Sequence, residues 1–321
     1  MKKILPKTIR NIAGVLAAGA LMLGASASHA LPGKVTAAGD SITMGFAADC
    51  RYNRYFWDLF CLLGGDQPEH SWFDGWSSNV DSVHDKYKAI NGSIAGNKSA
   101  AASGSEMLGG SNNFATQAAN IVAQSTTPDH VEVALGGNDI CNRGCTDAAN
   151  CADPVYTESQ WRGAVRAGLD TLVAGLPIGS TVYMAGVPRV QDLRAAGLAK
   201  QASHSRIRCE NVWSSFNVCN IATSGSSMSG ESHAQRYSAL QTVQRRYNEI
   251  IAEETSAYNA NTSGQNPRGI EVATDYAGEG VASTGTFEFG KDDIDGGDCF
   301  HPSKLGQNKV ADLMWNNNPD I

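Results

Sequence analysis

The sequence predicts an α/β fold, a mostly parallel sheet with helices on both faces. Three observations point there. Short apolar runs bounded by Gly, Pro or Asn recur at 35–38, 87–90, 131–135, 181–187 and 269–274, and runs of that length read as buried strands. Longer stretches with apolar residues every three to four positions alternate with them. Turns rich in Gly and Asn follow three of the strands, at 39–43, 91–97 and 136–139. Strands and helices in alternation bury both faces of a parallel sheet.

The chain opens on a segment expected to be removed. Lys2, Lys3, Lys7 and Arg10 precede an apolar stretch over 12–23, and Ser28-His29-Ala30 offers small residues for cleavage. This is the pattern of an export signal over residues 1–30, leaving 31–321 as a single domain bound for the periplasm or the medium. The apolar stretch is short for a membrane span, so no stable membrane anchor is expected.

The first strand, 35–38, runs into Gly39-Asp40-Ser41-Ile42-Thr43, where a turn would present Ser41 with a helix behind it. Aromatics crowd the next stretch: Tyr52, Tyr55, Phe56, Trp57, Phe60, Trp72, Phe73 and Trp76. Tyr52, Tyr55, Phe56 and Leu59 fit helical spacing, and the group serves either as core or as an apolar wall for an acyl chain or a sugar. A second strand over 87–90 leads to the glycine-rich turn 91–97. Residues 112–124 fit a helix with Phe114, Ala118, Ile121 and Val122 on one face. The third strand, 131–135, ends in Gly136-Gly137-Asn138-Asp139. A helix over 157–176, a strand over 181–187, a polar surface excursion over 189–230, a helix over 231–254 and a strand over 269–274 follow. A Gly- and Asp-rich loop then delivers Asp298-Cys299-Phe300-His301-Pro302, and 304–315 closes the chain as a helix.

Composition narrows the function. The formal net charge is −7, more negative still without the basic leader, and no basic patch stands out, so nucleic acid is not an expected partner. Eight cysteines in an exported chain read as disulfides. Cys50 with Cys61 and Cys209 with Cys219 would each close a short loop. Of Cys141, Cys145, Cys151 and Cys299, the pair Cys141–Cys299 is favoured as lying on one rim. No zinc-ligand spacing is present, and the acids at 292–298 do not follow the EF-hand pattern. No metal and no cofactor are expected.

In open parallel sheets ligands bind beyond the carboxyl ends of the strands. Ser41, Gly96 and Asn138 all follow such ends, and His301 arrives from the loop after the last strand. A serine hydroxyl needs a base to become a nucleophile. Histidine titrates near neutrality, and Asp298 lies three residues before His301 to orient the ring. The backbone N–H groups of Ser41 and Gly96 and the side-chain amide of Asn138 would hold an oxyanion. The catalytic residues expected are therefore Ser41, Asp298 and His301, with Ser41, Gly96 and Asn138 as the oxyanion hole.

These motifs, in this order across nearly the whole mature chain, resemble the GDSL esterases and lipases of the SGNH hydrolase superfamily. The resemblance rests on Gly39-Asp40-Ser41, Gly96, Gly136-Gly137-Asn138-Asp139 and Asp298-Cys299-Phe300-His301-Pro302. It implies a three-layer α/β/α sandwich with a flavodoxin-like sheet of roughly five strands, and metal-free ester hydrolysis through an acyl-serine. Gly-x-Ser-x-Gly is absent, which argues against an α/β-hydrolase. The forms around Cys141 and Cys299 also resemble the phospholipase B-like branch. The expected substrate is a small-molecule or lipid ester of short to medium acyl length. A phospholipase B-like lipase and a polysaccharide O-acetyl esterase are the alternatives. A non-catalytic binding module is disfavoured because every catalytic position is filled.

Overall fold

A computed structural model describes residues 31–95, 99–141, 156–228, 230–275 and 288–321. The expected leader, 1–30, lies outside the described residues. Strand β1 (Val35–Gly39) is buried along its whole length. A 3₁₀ turn, Phe56–Leu59, leads into the short helix α1 (Phe60–Leu63). Helices α2 (Val83–Ile90) and α3 (Phe114–Val122) precede β2 (His130–Ala134). Then come α4 (Gly137–Cys141), α5 (Glu158–Gly175) and β3 (Thr181–Met184). Helices α6 (Leu193–Ser203), α7 (Cys209–Phe216), α8 (Asn220–Thr223) and α9 (His233–Ala260) lead to β4 (Glu271–Thr274), and α10 (Lys304–Asn316) ends the chain.

The four strands form one parallel sheet in the order β1-β2-β3-β4, with Val35 opposite His130, His130 opposite Thr181 and Thr181 opposite Glu271. Helix α3 packs on β1 and α5, α5 on α9, and α9 on β4, which makes one layer. On the other face α2 packs on α10, with Tyr87 in ring contact with Trp315 at 5.0 Å and with His130 at 5.5 Å. The fold is the α/β/α sandwich expected, and every strand points its carboxyl end the same way.

Several local expectations are corrected. Residues 87–90 are the end of a helix, not a strand. Ser82 caps it by accepting from the N–H of Asp85 at 3.2 Å, and Val83 and Tyr87, four apart, form its buried face; that is helical spacing. The described sheet therefore has four strands. A less regular segment follows the outer edge of β1: Ala95, Ala100 and Ala102 donate to the carbonyls of Gly33, Ala37 and Gly39 at 2.8, 2.8 and 3.2 Å.

The polar-looking stretch 189–230 is helical and packed, not a surface excursion. Leu193, Val212, Trp213 and Ile221 are buried in the core. Gly197 of α6 permits this approach, since a Cβ there would stand 2.3 Å from the Trp213 ring. Buried Arg236 of α9 then ties α8 in place, donating to the carbonyls of Ile221 and Ser224 at 3.1 and 2.6 Å. Helix α9 begins at a Ser232–Gln235 capping box and runs to Ala260, beyond the 254 expected.

The described disulfides are Cys50–Cys61, Cys141–Cys219 and Cys209–Cys299. The first is the pair expected. Cys209–Cys219 does not form because Cys209 begins α7 and Cys219 lies beyond its end. Eight helical residues span about 12 Å, too far for a disulfide. Cys141–Cys299 does not form either, because α4 delivers Cys141 to α8 while Cys299 turns inward to α7. Cys145 and Cys151 lie outside the described residues. No helix among the described residues is long and apolar enough to cross a membrane.

Candidate active site

At the end of β1 the chain needs a glycine. A Cβ on Gly39 would stand 2.0 Å from Oγ1 of Thr43, so the turn closes only without one. Beyond it the backbone folds through hydrogen-bonded turns rather than the expected helix: Met44 N–H donates to Asp40 at 3.0 Å and Phe46 N–H to Ser41 at 2.9 Å. Asp40 braces the turn by accepting from the N–H of Ile42 at 2.9 Å. Burial pushes the Asp40 carboxyl up to about 6, against the opposing pull of that N–H and of His301. The side chain of Gln117, on α3, accepts from the N–H of Gly39 at 2.7 Å and donates to its carbonyl at 2.9 Å. Nothing in the sequence near Ser41 announced this clamp.

The closing loop brings Asp298 and His301 to Ser41 across the sequence. His301 Nε2 lies 2.7 Å from Ser41 Oγ, and His301 Nδ1 lies 2.5 Å from Asp298 Oδ2. With Nδ1–H donating its hydrogen bond to the carboxylate, the ring presents Nε2 as an acceptor to the hydroxyl. The other Asp298 oxygen accepts from the N–H groups of Phe300 and His301 at 2.8 and 3.0 Å. Burial alone would raise the Asp298 carboxyl, but His301 and these bonds hold it well below the usual carboxylate range. Asp295 stands behind, accepting from the N–H groups of Gly297 and Asp298 at 2.5 and 2.9 Å. Its own carboxyl is pushed well up by burial and then by the charge of Asp298. The Phe46 ring packs on the imidazole at 4.6 Å.

Asn138 sits in the first turn of α4 and lines the same cavity as Ser41 and His301. Its amide donates to the Ser105 carbonyl at 2.9 Å, which leaves one N–H for a ligand. Gly96 lies outside the described residues. Gly104, which the sequence did not single out, lines the cavity beside Ser41, with φ of 80°. The loop that carries it is held by buried Asp139, whose carboxylate accepts from the N–H groups of Met107 and Leu108 at 2.7 and 3.2 Å. The signal available for Gly104 was its place in Ala-Ser-Gly-Ser, a small-residue turn.

These groups floor a cavity of about 660 Å³. It is lined by Phe56, Phe60, Leu62 and Leu63 of one segment, by Val212, Phe216 and Val218 of another, and by Phe46 and Phe300. The aromatic group of the sequence thus divides: Trp72 and Phe73 are core, while Phe56 and Phe60 face the cavity. Cys141–Cys219 and Cys209–Cys299 tie the α6–α8 region to α4 and to the loop that carries His301. Among the described residues no cluster of three or more His, Cys, Asp or Glu is arranged to hold a metal ion.

The sequence profile of the GDSL-like lipase/acylhydrolase family matches residues 35–314. The chain belongs to this family. Membership supports hydrolytic action on esters. No curated protein matches the sequence. This GDSL-family chain is similar to solved structures at low identity. One is a protein from Lactobacillus plantarum, at 14% identity over 90% of this chain and 97% of that one, with a TM-score of 0.39. Another is a family two carbohydrate esterase from Clostridium thermocellum, at 12% identity over 89% of this chain and 62% of that one, with a TM-score of 0.41. A further carbohydrate esterase matches at 12% identity over 88% of this chain and 67% of that one, with a TM-score of 0.43.

Proposed function

We propose that this protein is an exported serine esterase that cleaves carboxylic esters carrying an apolar acyl chain, through an acyl-enzyme on Ser41. The observation that carries the proposal is the hydrogen-bonded line from Asp298 through His301 to Ser41, with Nε2 2.7 Å from Oγ, at the floor of an apolar cavity. His301 takes the proton of Ser41 as Oγ attacks the ester carbonyl. Asp298 steadies the imidazolium that results. The tetrahedral oxyanion is held by the N–H groups of Ser41 and Gly104 and by the free N–H of Asn138. Collapse breaks the ester C–O bond, and the alcohol leaves with the proton from His301. Water, deprotonated by the same imidazole, then attacks the acyl-serine and releases the acid.

The walls favour a lipid-like ester over an acetylated polysaccharide. An acetyl group would leave most of a cavity lined by Phe, Leu and Val side chains unfilled, whereas a medium or long chain covers it, at about 0.8 kcal/mol per buried CH₂. Export rests on the leader pattern at 1–30; the three disulfides are consistent with it. The test is hydrolysis of p-nitrophenyl esters from acetate to a long acyl chain, by residues 31–321 and by its Ser41→Ala variant. Turnover that rises with acyl length and vanishes in the variant is expected. A variant as active as the parent would refute Ser41 as nucleophile, and a strict preference for acetate would refute the acyl-chain cavity.

A further inference from the structure

The segment 56–63 is built inside out. Its polar residue faces inward: the Asp58 side chain is 6% exposed and accepts from Arg206 at 2.5 Å, and the Arg206 guanidinium lies over the Tyr52 ring at 4.0 Å. The disulfide Cys50–Cys61 fastens the same side. Its large apolar residues face outward: Phe56 is 74%, Trp57 64%, Phe60 55% and Leu63 78% exposed. A helical segment normally turns its apolar stripe to the core and its charges to water. Here the anchored polar side leaves four large apolar side chains without cover within eight residues, and contiguous exposed patches of this kind mark interaction sites. Phe216 of α7, 59% exposed, lines the same cavity.

What covers these side chains is decided by their second role. Phe56, Phe60 and Leu63 are at once outer surface and cavity wall. Whatever lies on them must therefore be continuous with whatever fills the cavity above Ser41. A second copy of the chain seated there would close the entrance to the substrate. A folded partner would do the same. An assembly of amphipathic esters meets both demands, because the chain in the cavity and the matter outside it are the same material. We propose that the face formed by Phe56, Trp57, Phe60 and Leu63 docks on a lipid surface, from which the cavity draws single acyl chains; this rests on the ester-hydrolase function proposed above. Trp57 suits the role, since indole favours the boundary between hydrocarbon and water. The net charge of −7 makes apolar insertion rather than electrostatic attraction the driving force, so binding should hold in high salt.

The test uses residues 31–321 carrying Ser41→Ala, so that no lipid is consumed, and phosphatidylcholine vesicles collected by sedimentation. The protein is expected in the vesicle pellet at low and at high salt, and Trp57→Ser in that background is expected to weaken binding by roughly tenfold. With Ser41 intact, Trp57→Ser should leave hydrolysis of a soluble short-chain ester unchanged, which shows the fold is kept, while turnover of emulsified long-chain ester falls. No binding to vesicles by the Ser41→Ala protein, or binding that Trp57→Ser does not weaken, overturns the proposal. So does a stable dimer that Trp57→Ser dissociates, which would assign the face to a second copy. Vesicle binding by a protein inactive on every ester would instead leave the docking face standing and remove the hydrolase function.

Discussion

The side-chain amide of Asn138 donates to the carbonyl of Ser105 at 2.9 Å, so the first turn of α4 is fastened to the loop that carries Gly104. Asp139 makes a second fastening one residue on, through the N–H groups of Met107 and Leu108. One asparagine thus both orients itself and presents a remaining N–H, while the residue beside it fixes the loop that carries Gly104. Asn138→Ala should lower kcat by about 10²–10³, the scale for one oxyanion donor, with KM little changed. A change confined to KM would place Asn138 in ground-state binding.

Asp295 and Asp298 are chemically alike, yet their environments push them apart. Asp298 is held ionised beside His301, while burial and the charge of Asp298 favour a neutral Asp295. Replacing each by the neutral amide separates them. Asp295→Asn keeps the oxygen that accepts from Gly297 and Asp298 and should retain most activity. Asp298→Asn removes the charge that steadies the imidazolium and should cost up to about 10⁴ in kcat. Equal losses in the two variants would contradict this division.

Much of this site is written locally. Gly39-Asp40-Ser41, Gly136-Gly137-Asn138-Asp139 and Asp298-Cys299-Phe300-His301 are each contiguous, and the strands that deliver the first two are short apolar runs with sharp turns after them. What the sequence hides depends on partners far along the chain. Residues 87–90, the second half of α2, look like a strand if the Ser82 cap is overlooked. The 189–230 stretch is polar in composition, and contacts such as Trp213 over Gly197 and Arg236 against α8 make it core. The pairing of Cys209 with Cys299, 90 residues away, follows from where α7 points, which no spacing rule contains. Gln117 reaches Gly39 from another element altogether.

Cys299 lies between the two histidine-loop residues that matter, with a left-handed φ of 57° and a fully buried side chain. Its bond to Cys209 fixes that strained position against α7. Cys209→Ser with Cys299→Ser should lower stability by roughly 4 kcal/mol, the scale for a loop of this length, and should also lower kcat/KM of the folded protein by up to about 10², because loop order is lost where His301 is aimed. Thermal unfolding and ester kinetics on the same samples would check it. Loss of stability with unchanged kinetics in the surviving fold would show that the bond serves the scaffold alone.

At the opposite end of the sheet His130 is buried between two acids. Its Nδ1 lies 2.7 Å from Asp320 and its Nε2 3.3 Å from Glu132, while Asp320 also accepts from the Thr181 hydroxyl at 2.8 Å. Burial alone would lower this imidazole, but the bonds and charges of Asp320 and Glu132 raise it from 6.5 to about 9. The protonated ring therefore clamps the C-terminal residues under β2. A raised folded value means the stabilisation is complete below about 6.5 and fades as pH climbs through about 9. The scale is a few kcal/mol, at about 1.4 kcal/mol per unit, less what burying Glu132 costs. The midpoint of thermal unfolding should fall between pH 7 and 9.5, and His130→Gln should be less stable at pH 7 and show a flatter profile. Parallel profiles for the two proteins would mean that another group sets the alkaline limit.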